Sequence, residues 1–166
     1  MSKLSLYAIG IVIGIGTVYL AKKYFIKNNS LLNKRVDYKI YSFLKNKGLS
    51  KANASGIVGN LYAESKFNPM AIGDNGNSFG VAQWHKDRWN NLKVFAFTTN
   101  QDFTKLNTQL EFLWWELNNA ETKAYNKLIQ TYNPKDSAFV FAKYYERPLN
   151  INNERMDYAQ KFHDLI

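Results

Sequence analysis

From Val36 onward, apolar residues recur at helical spacing through most of the chain. Val36, Ile40, Phe43 and Leu44 form a first stripe, and Gly48 is placed to close that helix. Ser50 can cap a second helix, which carries Ile57 and Leu61 on one face and runs to about Ser65. Between Asn68 and Gln83 the helical period disappears. Pro69, Gly73, Gly76 and Gly80 interrupt it, and Asn75-Gly76 is a tight-turn dipeptide, so a short hairpin or ordered loop is expected. Helices resume near Trp84. Trp89, Leu92 and Phe95 line one; Leu106, Leu110, Leu113, Trp114 and Leu117 line the next. Tyr125, Leu128, Ile129 and Tyr132 mark a further helix before Pro134 breaks the chain. Ala138, Phe141, Ala142 and Tyr145 mark another, and Met156, Ala159, Phe162 and Leu165 the last. The expected class is mostly α, with one small β or loop excursion directly after the second helix.

Ahead of this pattern stands a different one. Leu4 to Ala21 carries no charged residue. As a helix it spans roughly 27 Å, close to a hydrocarbon core of about 30 Å. Tyr7 and Tyr19 sit near its ends, and Lys22 and Lys23 follow. The expected organisation is a single transmembrane anchor over residues 1–26, a polar linker over 27–35 and a helical domain over 36–166. A cleaved signal peptide is the competing reading, but Tyr19 is bulky where cleavage after Ala21 requires a small residue. Gly10 and Gly14 form a GxxxG spacing through which two anchors can pair into a homo-oligomer. The lysines and Arg35 that follow the anchor predict that the domain stays on the cytoplasmic face.

Composition narrows the chemistry. The 166 residues hold 22 Lys and Arg against 13 Asp and Glu, a formal charge of +9. That favours an anionic partner such as a nucleic acid, a lipid surface or an acidic wall polymer, although AT-rich coding also enriches lysine. The lysines are scattered and belong to no recognition motif, which argues against nucleic acid. Without cysteine there are no disulfides, thiolate chemistry or most zinc sites. His85 and His163 lack ligand spacing, so no metal or cofactor is expected and both read as ordinary surface or helix-end residues.

The second helix ends on a charge. Glu64 falls on the face of Ile57 and Leu61, where apolar neighbours and the negative helix end both disfavour the ionised form. A carboxyl kept neutral can donate a proton to a leaving oxygen. The other reading is an ion pair with Lys66 or a more distant arginine. The glycine-rich run from Gly73 to Trp84 can bring backbone groups close to a sugar, and Trp84 and Trp89 offer apolar faces to pyranose rings. Trp89 also fits a core stripe, while Trp114 and Trp115 read as core or wall. Asp74 reads equally as a second carboxylate facing Glu64 and as a turn residue. Asp87 suits the first turn of the helix carrying Trp89.

In combination, ASGIVGNLYAESKFNP followed by GDNGNSFGVAQW resembles the phage tail lysozyme domain, a branch of the lysozyme-like superfamily that includes lytic transglycosylases. NTQLEFLWWEL and FAKYYERP resemble that family's later helices, so the likeness runs from about Val36 to Pro148 and toward the end. The resemblance implies a lysozyme-like α+β fold that cleaves peptidoglycan. It makes Glu64 the general acid and Ser78, Gly80 and Gln83 parts of a substrate loop, with Ser65 beside the acid in the same binding set. It also implies that Tyr144 or Tyr145 reaches the cleft, although Tyr145 fits the apolar stripe as well. Glu146 and Arg147 are expected to form structural ion pairs.

Two endings follow proton donation to the bond between N-acetylmuramic acid and N-acetylglucosamine. Hydrolysis would use Asp74, whereas a lytic transglycosylase would use Glu64 twice and close a 1,6-anhydro ring. An inactive wall-binding module would keep the charge and the aromatics but have no need of Glu64. The anchor suggests a phage virion membrane, or alternatively the bacterial inner membrane, as the place of action in entry or lysis.

Overall fold

In a computed structural model of the protein, residues 35–166 are described. The expected anchor and the GxxxG pair lie outside them, as does the linker up to residue 34. Among the described residues no helix is long and apolar enough to cross a membrane.

Local signals set the first two helices. Helix α1 (Val36–Asn46) ends where the Gly48 N–H reaches Lys45 O at 2.9 Å. Ser50 Oγ then accepts the Asn53 N–H at 3.0 Å and starts α2 (Lys51–Ser65). Lys66 closes α2 in the left-handed region, its N–H bonded to Tyr62 O. Every residue of α2 from Ala52 to Leu61 is buried, so this helix is a central strut enclosed on all sides. Ala, Ser, Gly and Asn occupy the sides away from Ile57 and Leu61, and their small volume lets neighbouring backbones approach.

The polar members of α2 are satisfied by those neighbours. Asn53 Nδ2 donates to Leu128 O at 2.8 Å and to Thr131 Oγ1 at 2.9 Å. Asn60 Nδ2 donates to Gly56 O and Ala138 O, both at 2.9 Å.

After α2 the chain forms a three-stranded antiparallel sheet: β1 (Ile72–Gly73), β2 (Ser78–Phe79) and β3 (Trp84–His85), in that order. Gly73 pairs with Ser78, and Phe79 with Trp84. The turn at Asp74, Asn75 and Gly76 runs through positive φ at all three residues, which suits Asn-Gly chemistry. Helices α3 (Lys86–Thr98), α4 (Leu106–Asn118) and α5 (Thr122–Leu128) follow, then α6 (Pro134–Phe141), a π turn (Ala142–Glu146) and α7 (Glu154–Leu165). Asn133 caps α6 by accepting the Asp136 N–H at 2.8 Å, with Pro134 in the first helical position.

The architecture is therefore seven α-helices with one small sheet among the described residues, a lysozyme-like α+β arrangement. α2 packs chiefly on α6 and α7. The core gathers Ile57, Leu61, Trp84, Phe112, Leu113 and Phe141, all without solvent exposure.

Two expected stripes bury less than their spacing predicts. The helix carrying Tyr125 stops at Leu128, leaving Ile129 and Tyr132 exposed. Thr131 Oγ1 caps Leu128 O at 2.7 Å there, so the chain turns before Asn133. In α7, Leu165 is exposed, and the buried positions include Arg155 beside Ala159 and Phe162.

Candidate active site

Glu64 stands one residue from the end of α2, where the strut leaves the core and meets the sheet. Its side chain is 15% exposed, and it opens into a cavity of about 600 Å³. Asp74, Ser78, Gln83, His85, Arg88 and Glu146 share that lining, with Arg147, Pro148 and Leu149 at its edge. The turn and the sheet thus bring Asp74, Ser78 and Gln83 to the same cavity as Glu64, though they lie ten to nineteen positions later in the sequence.

Glu64 has a cation. Arg155 Nη1 of α7 donates to Glu64 Oε1 and also reaches Asn60 Oδ1 at 3.3 Å. Of the two partners foreseen, the distant arginine is the one present, while Lys66 turns instead to Glu154. Asp74 Oδ2 accepts the Ser78 hydroxyl at 2.5 Å, which holds the carboxylate toward the strand. Asp74 and Gln83 both sit at φ +47, a conformation uncommon outside glycine and concentrated at functional sites. Gln83 Nε2 closes its own turn onto Gly80 O at 3.0 Å.

The substrate-loop glycine acts inward. Gly80 has φ +76, and a Cβ there would lie 2.8 Å from Trp89 Cζ3 and 2.9 Å from Gln109 Oε1. Gln109 fixes the loop by accepting the Val81 N–H at 2.8 Å and donating to Pro69 O at 2.7 Å. Ser65 Oγ donates to Val81 O at 2.7 Å, so it ties α2 to the same loop. Both residues shape the cavity wall without lining it.

Two aromatic expectations change. Trp84 is fully buried and presents no face to a sugar. Its indole N–H donates to Glu116 Oε2 at 2.8 Å and to Tyr145 Oη at 3.1 Å. Tyr145 is fully buried too and gives its hydroxyl to Glu116 Oε2 at 2.5 Å. Neither ring can stack on a substrate, because both are buried in a polar cluster whose Arg88 reaches the cavity lining. Tyr144 is half-buried, lies between Lys123 and Lys143, and is not among the cavity residues. Trp89 stacks on Phe79 with ring centres 5.5 Å apart, in keeping with a core role.

That cluster is built on Glu116, a residue not singled out from the sequence. Arg88 donates to it twice, Nε to Oε1 at 2.8 Å and Nη2 to Oε2 at 2.9 Å. With Trp84 and Tyr145 this makes four donors, enough to fill the acceptor sites of a buried carboxylate. Burial opposes the charge of Arg88, yet Tyr145 and Glu116 hold the guanidinium above its ordinary value. Burial, and then the Glu116 charge, push the Tyr145 hydroxyl well above the usual range.

Glu146 departs from the ion pair expected of it. Arg147 does form the expected structural ion pair, both arms on Glu121 at 2.8 Å. Glu146 instead lines the cavity with Glu64. Its Oε1 is shut off from solvent and accepts no hydrogen bond among the described residues. Burial, and then the charge of Glu64, drive its carboxyl well above the ordinary range. A signal was available for Arg155 and Glu116. Each stands at i, i+4 or i, i+7 from buried residues of its helix, the pattern that marked Glu64. Among the described residues no cluster of three metal-ligating side chains gathers.

The arrangement joins a carboxyl at a helix end, a second carboxylate on a strained turn and polar loop groups around one open cavity. A glycosidic bond can be approached there by an acid and by an anion. The family model for phage tail lysozyme matches residues 36–166.

Proposed function

The chain belongs to the phage tail lysozyme family, whose activity acts on peptidoglycan, and we propose that its cavity cleaves the β-1,4 bond between N-acetylmuramic acid and N-acetylglucosamine. One observation carries this reading: Glu64, Asp74, Ser78 and Gln83 line the same cavity. Glu64 is the general acid. As the bond to the anomeric carbon stretches, its proton passes to the departing oxygen. Arg155, bonded to Glu64 Oε1, offers a charge-assisted partner to the carboxylate that remains. Asp74 faces the developing positive charge or orients the water that completes hydrolysis, with the Ser78 hydroxyl holding it in place. The apolar edge at Pro148 and Leu149 gives a sugar ring or acetamido methyl a surface to rest on.

The same proposal places the domain behind a membrane anchor at residues 4–21, whose support is the uncharged run itself. A virion membrane is the setting it favours.

Full-length protein incubated with isolated peptidoglycan should release soluble fragments that end in reducing muramic acid by mass spectrometry. Fragments lighter by one water would replace hydrolysis with the transglycosylase ending. Glu64→Gln should keep binding to the insoluble wall and lose release by at least about 100-fold. Binding without release by the wild-type chain would leave a wall-binding module and sink the reading.

A further inference from the structure

In and directly around the cavity, carboxyl groups outnumber the cations that face them. The charges of Glu64 on α2, Glu116 on α4, Arg88 on α3 and Arg155 on α7 all bear on Glu146 of the π turn. Neither guanidinium gives Glu146 a hydrogen bond, although the buried Arg155 Nε has no partner of its own among the described residues. Arg88 forks onto Glu116 and gives Nη1 to Tyr145 O at 3.1 Å. Arg155 is taken by Glu64 and Asn60. The remaining charged groups of the lining do not help Glu146: Arg147 is turned to Glu121, and Asp74 carries the wrong sign. His85 is exposed on the cavity lining at the start of α3. Tyr145, next in sequence, gives its hydroxyl to Glu116.

Three carboxyls therefore meet two guanidiniums, and the one left over is the one with a buried oxygen and no hydrogen bond. An ionised Glu146 would be a buried charge lacking a partner, a costly arrangement that a protein relieves by keeping the group neutral.

We propose that Glu64 and Glu146 form a one-proton carboxyl pair, in which Glu146 stores the acid proton of the resting site and Glu64 presents it to the substrate. This rests on the cavity being the cleavage site. The proton moves from Glu146 to Glu64, leaving Glu146 ionised. The Glu64 O–H bond then breaks as the glycosidic C–O bond breaks, and the departing sugar gains a hydroxyl. Water supplies hydroxide to the anomeric carbon, and its other proton returns to the pair. Glu146 touches no substrate in this scheme; it is the proton-holding partner of the residue that does.

The direct test is a carboxyl-carbon NMR titration of the full chain labelled at glutamate. One glutamate should stay protonated at a pH where the others have ionised, and its resonance should vanish in Glu146→Gln. Ionisation of every glutamate in the ordinary range would overturn the proposal. In Glu64→Gln the high-titrating resonance should fall by about one pH unit, since a like charge is gone; an unmoved midpoint would overturn the pairing.

Fragment release supplies the second readout. Glu146→Gln should move the alkaline limb of the pH–rate profile downward by about one unit, because the site then lacks the carboxyl that stores the proton. Glu146→Asp should restore part of the wild-type profile. A uniform loss of rate with the limb unmoved would reduce Glu146 to packing and overturn the proposal. No release by the wild-type chain defeats the cleavage reading instead, whereas ordinary titration of Glu146 defeats the pair and leaves that reading standing.

Discussion

Asp74 is both a turn residue and part of the cavity lining, and one substitution separates the two roles. Its backbone sits at φ +47, a region that asparagine tolerates as well as aspartate does. Asn at this position therefore keeps the turn, and its amide oxygen can still accept the Ser78 hydroxyl that Asp74 Oδ2 holds at 2.5 Å. Only the negative charge is lost. Because Asp74 is exposed, Asp74→Asn should change stability by no more than about 0.5 kcal/mol. Hydrolysis should nevertheless fall by roughly 100-fold, the range for removing a general base or charge stabiliser. Release rates and urea midpoints measured on the same preparation decide the matter. A full rate with reducing ends retained would return Asp74 to a turn residue. Glu64 differs, since it is bound to Arg155 and shares the cavity lining with Glu146, so its substitution perturbs a network as well as a proton.

Among the elements, the contact between α2 and α7 governs where the acid and its cation meet. Gly59 makes that contact close. A Cβ on it would fall 2.3 Å from Arg155 O and 2.7 Å from Ala159 Cβ. The nearest obstacle is backbone, which cannot rotate aside, so α7 must retreat. Gly59→Ala should destabilise the domain by roughly 1–3 kcal/mol and lower cleavage by carrying Arg155 away from Glu64. Urea unfolding together with release rates measures both, and an unchanged midpoint would mean that α7 shifts freely. The ends of α2 are legible in the sequence because their causes are local: Ser50 bonds a group three residues on, and Gly48 closes the turn before it. The Asn75-Gly76 turn is legible for the same reason. Glu64 stands out as a charge on an apolar face. Which distant arginine pairs with Glu64 is not legible, since Arg155 lies 91 positions away and meets it only once α7 has docked. Trp84 and Tyr145 misled for a related reason. Aromatic rings suit sugar faces and cores alike, and what buries them is the Glu116 carboxylate on α4. Glu146 was hidden by its neighbour. Arg147 does form an ion pair, and the π turn sends the adjacent carboxyl into the cavity instead.

For the molecule as a whole, a stored proton is a term in stability. Burial first, and the charge of Glu64 second, hold the Glu146 carboxyl well above its ordinary range in the folded chain. In the unfolded chain it ionises near about pH 4.3. Between that pH and its folded value, the folded chain binds one proton more than the unfolded chain does. The difference in bound protons, unfolded minus folded, is then negative, so the unfolding free energy falls as pH rises. The contribution is complete below the unfolded value and is lost as pH rises through the folded one. One proton limits the slope to about 1.4 kcal/mol per pH unit. Glu121 works in the opposite sense. Burial opposes its ionisation, but the paired Arg147 holds its carboxyl below the ordinary range, so its contribution is lost as pH falls. Urea unfolding of the full chain between about pH 5 and 8 should therefore separate the two residues. Glu146→Gln cannot ionise, and its stability relative to wild type should rise steadily with pH. Glu121→Gln should be less stable than wild type by a constant margin over this range, and the gap should close only when the titration is carried below about pH 4.3. If the Glu146→Gln curve instead runs parallel to wild type across this range, the folded domain takes up no proton at Glu146, and the acid that cleaves the substrate must draw its proton from Glu64 and solvent alone.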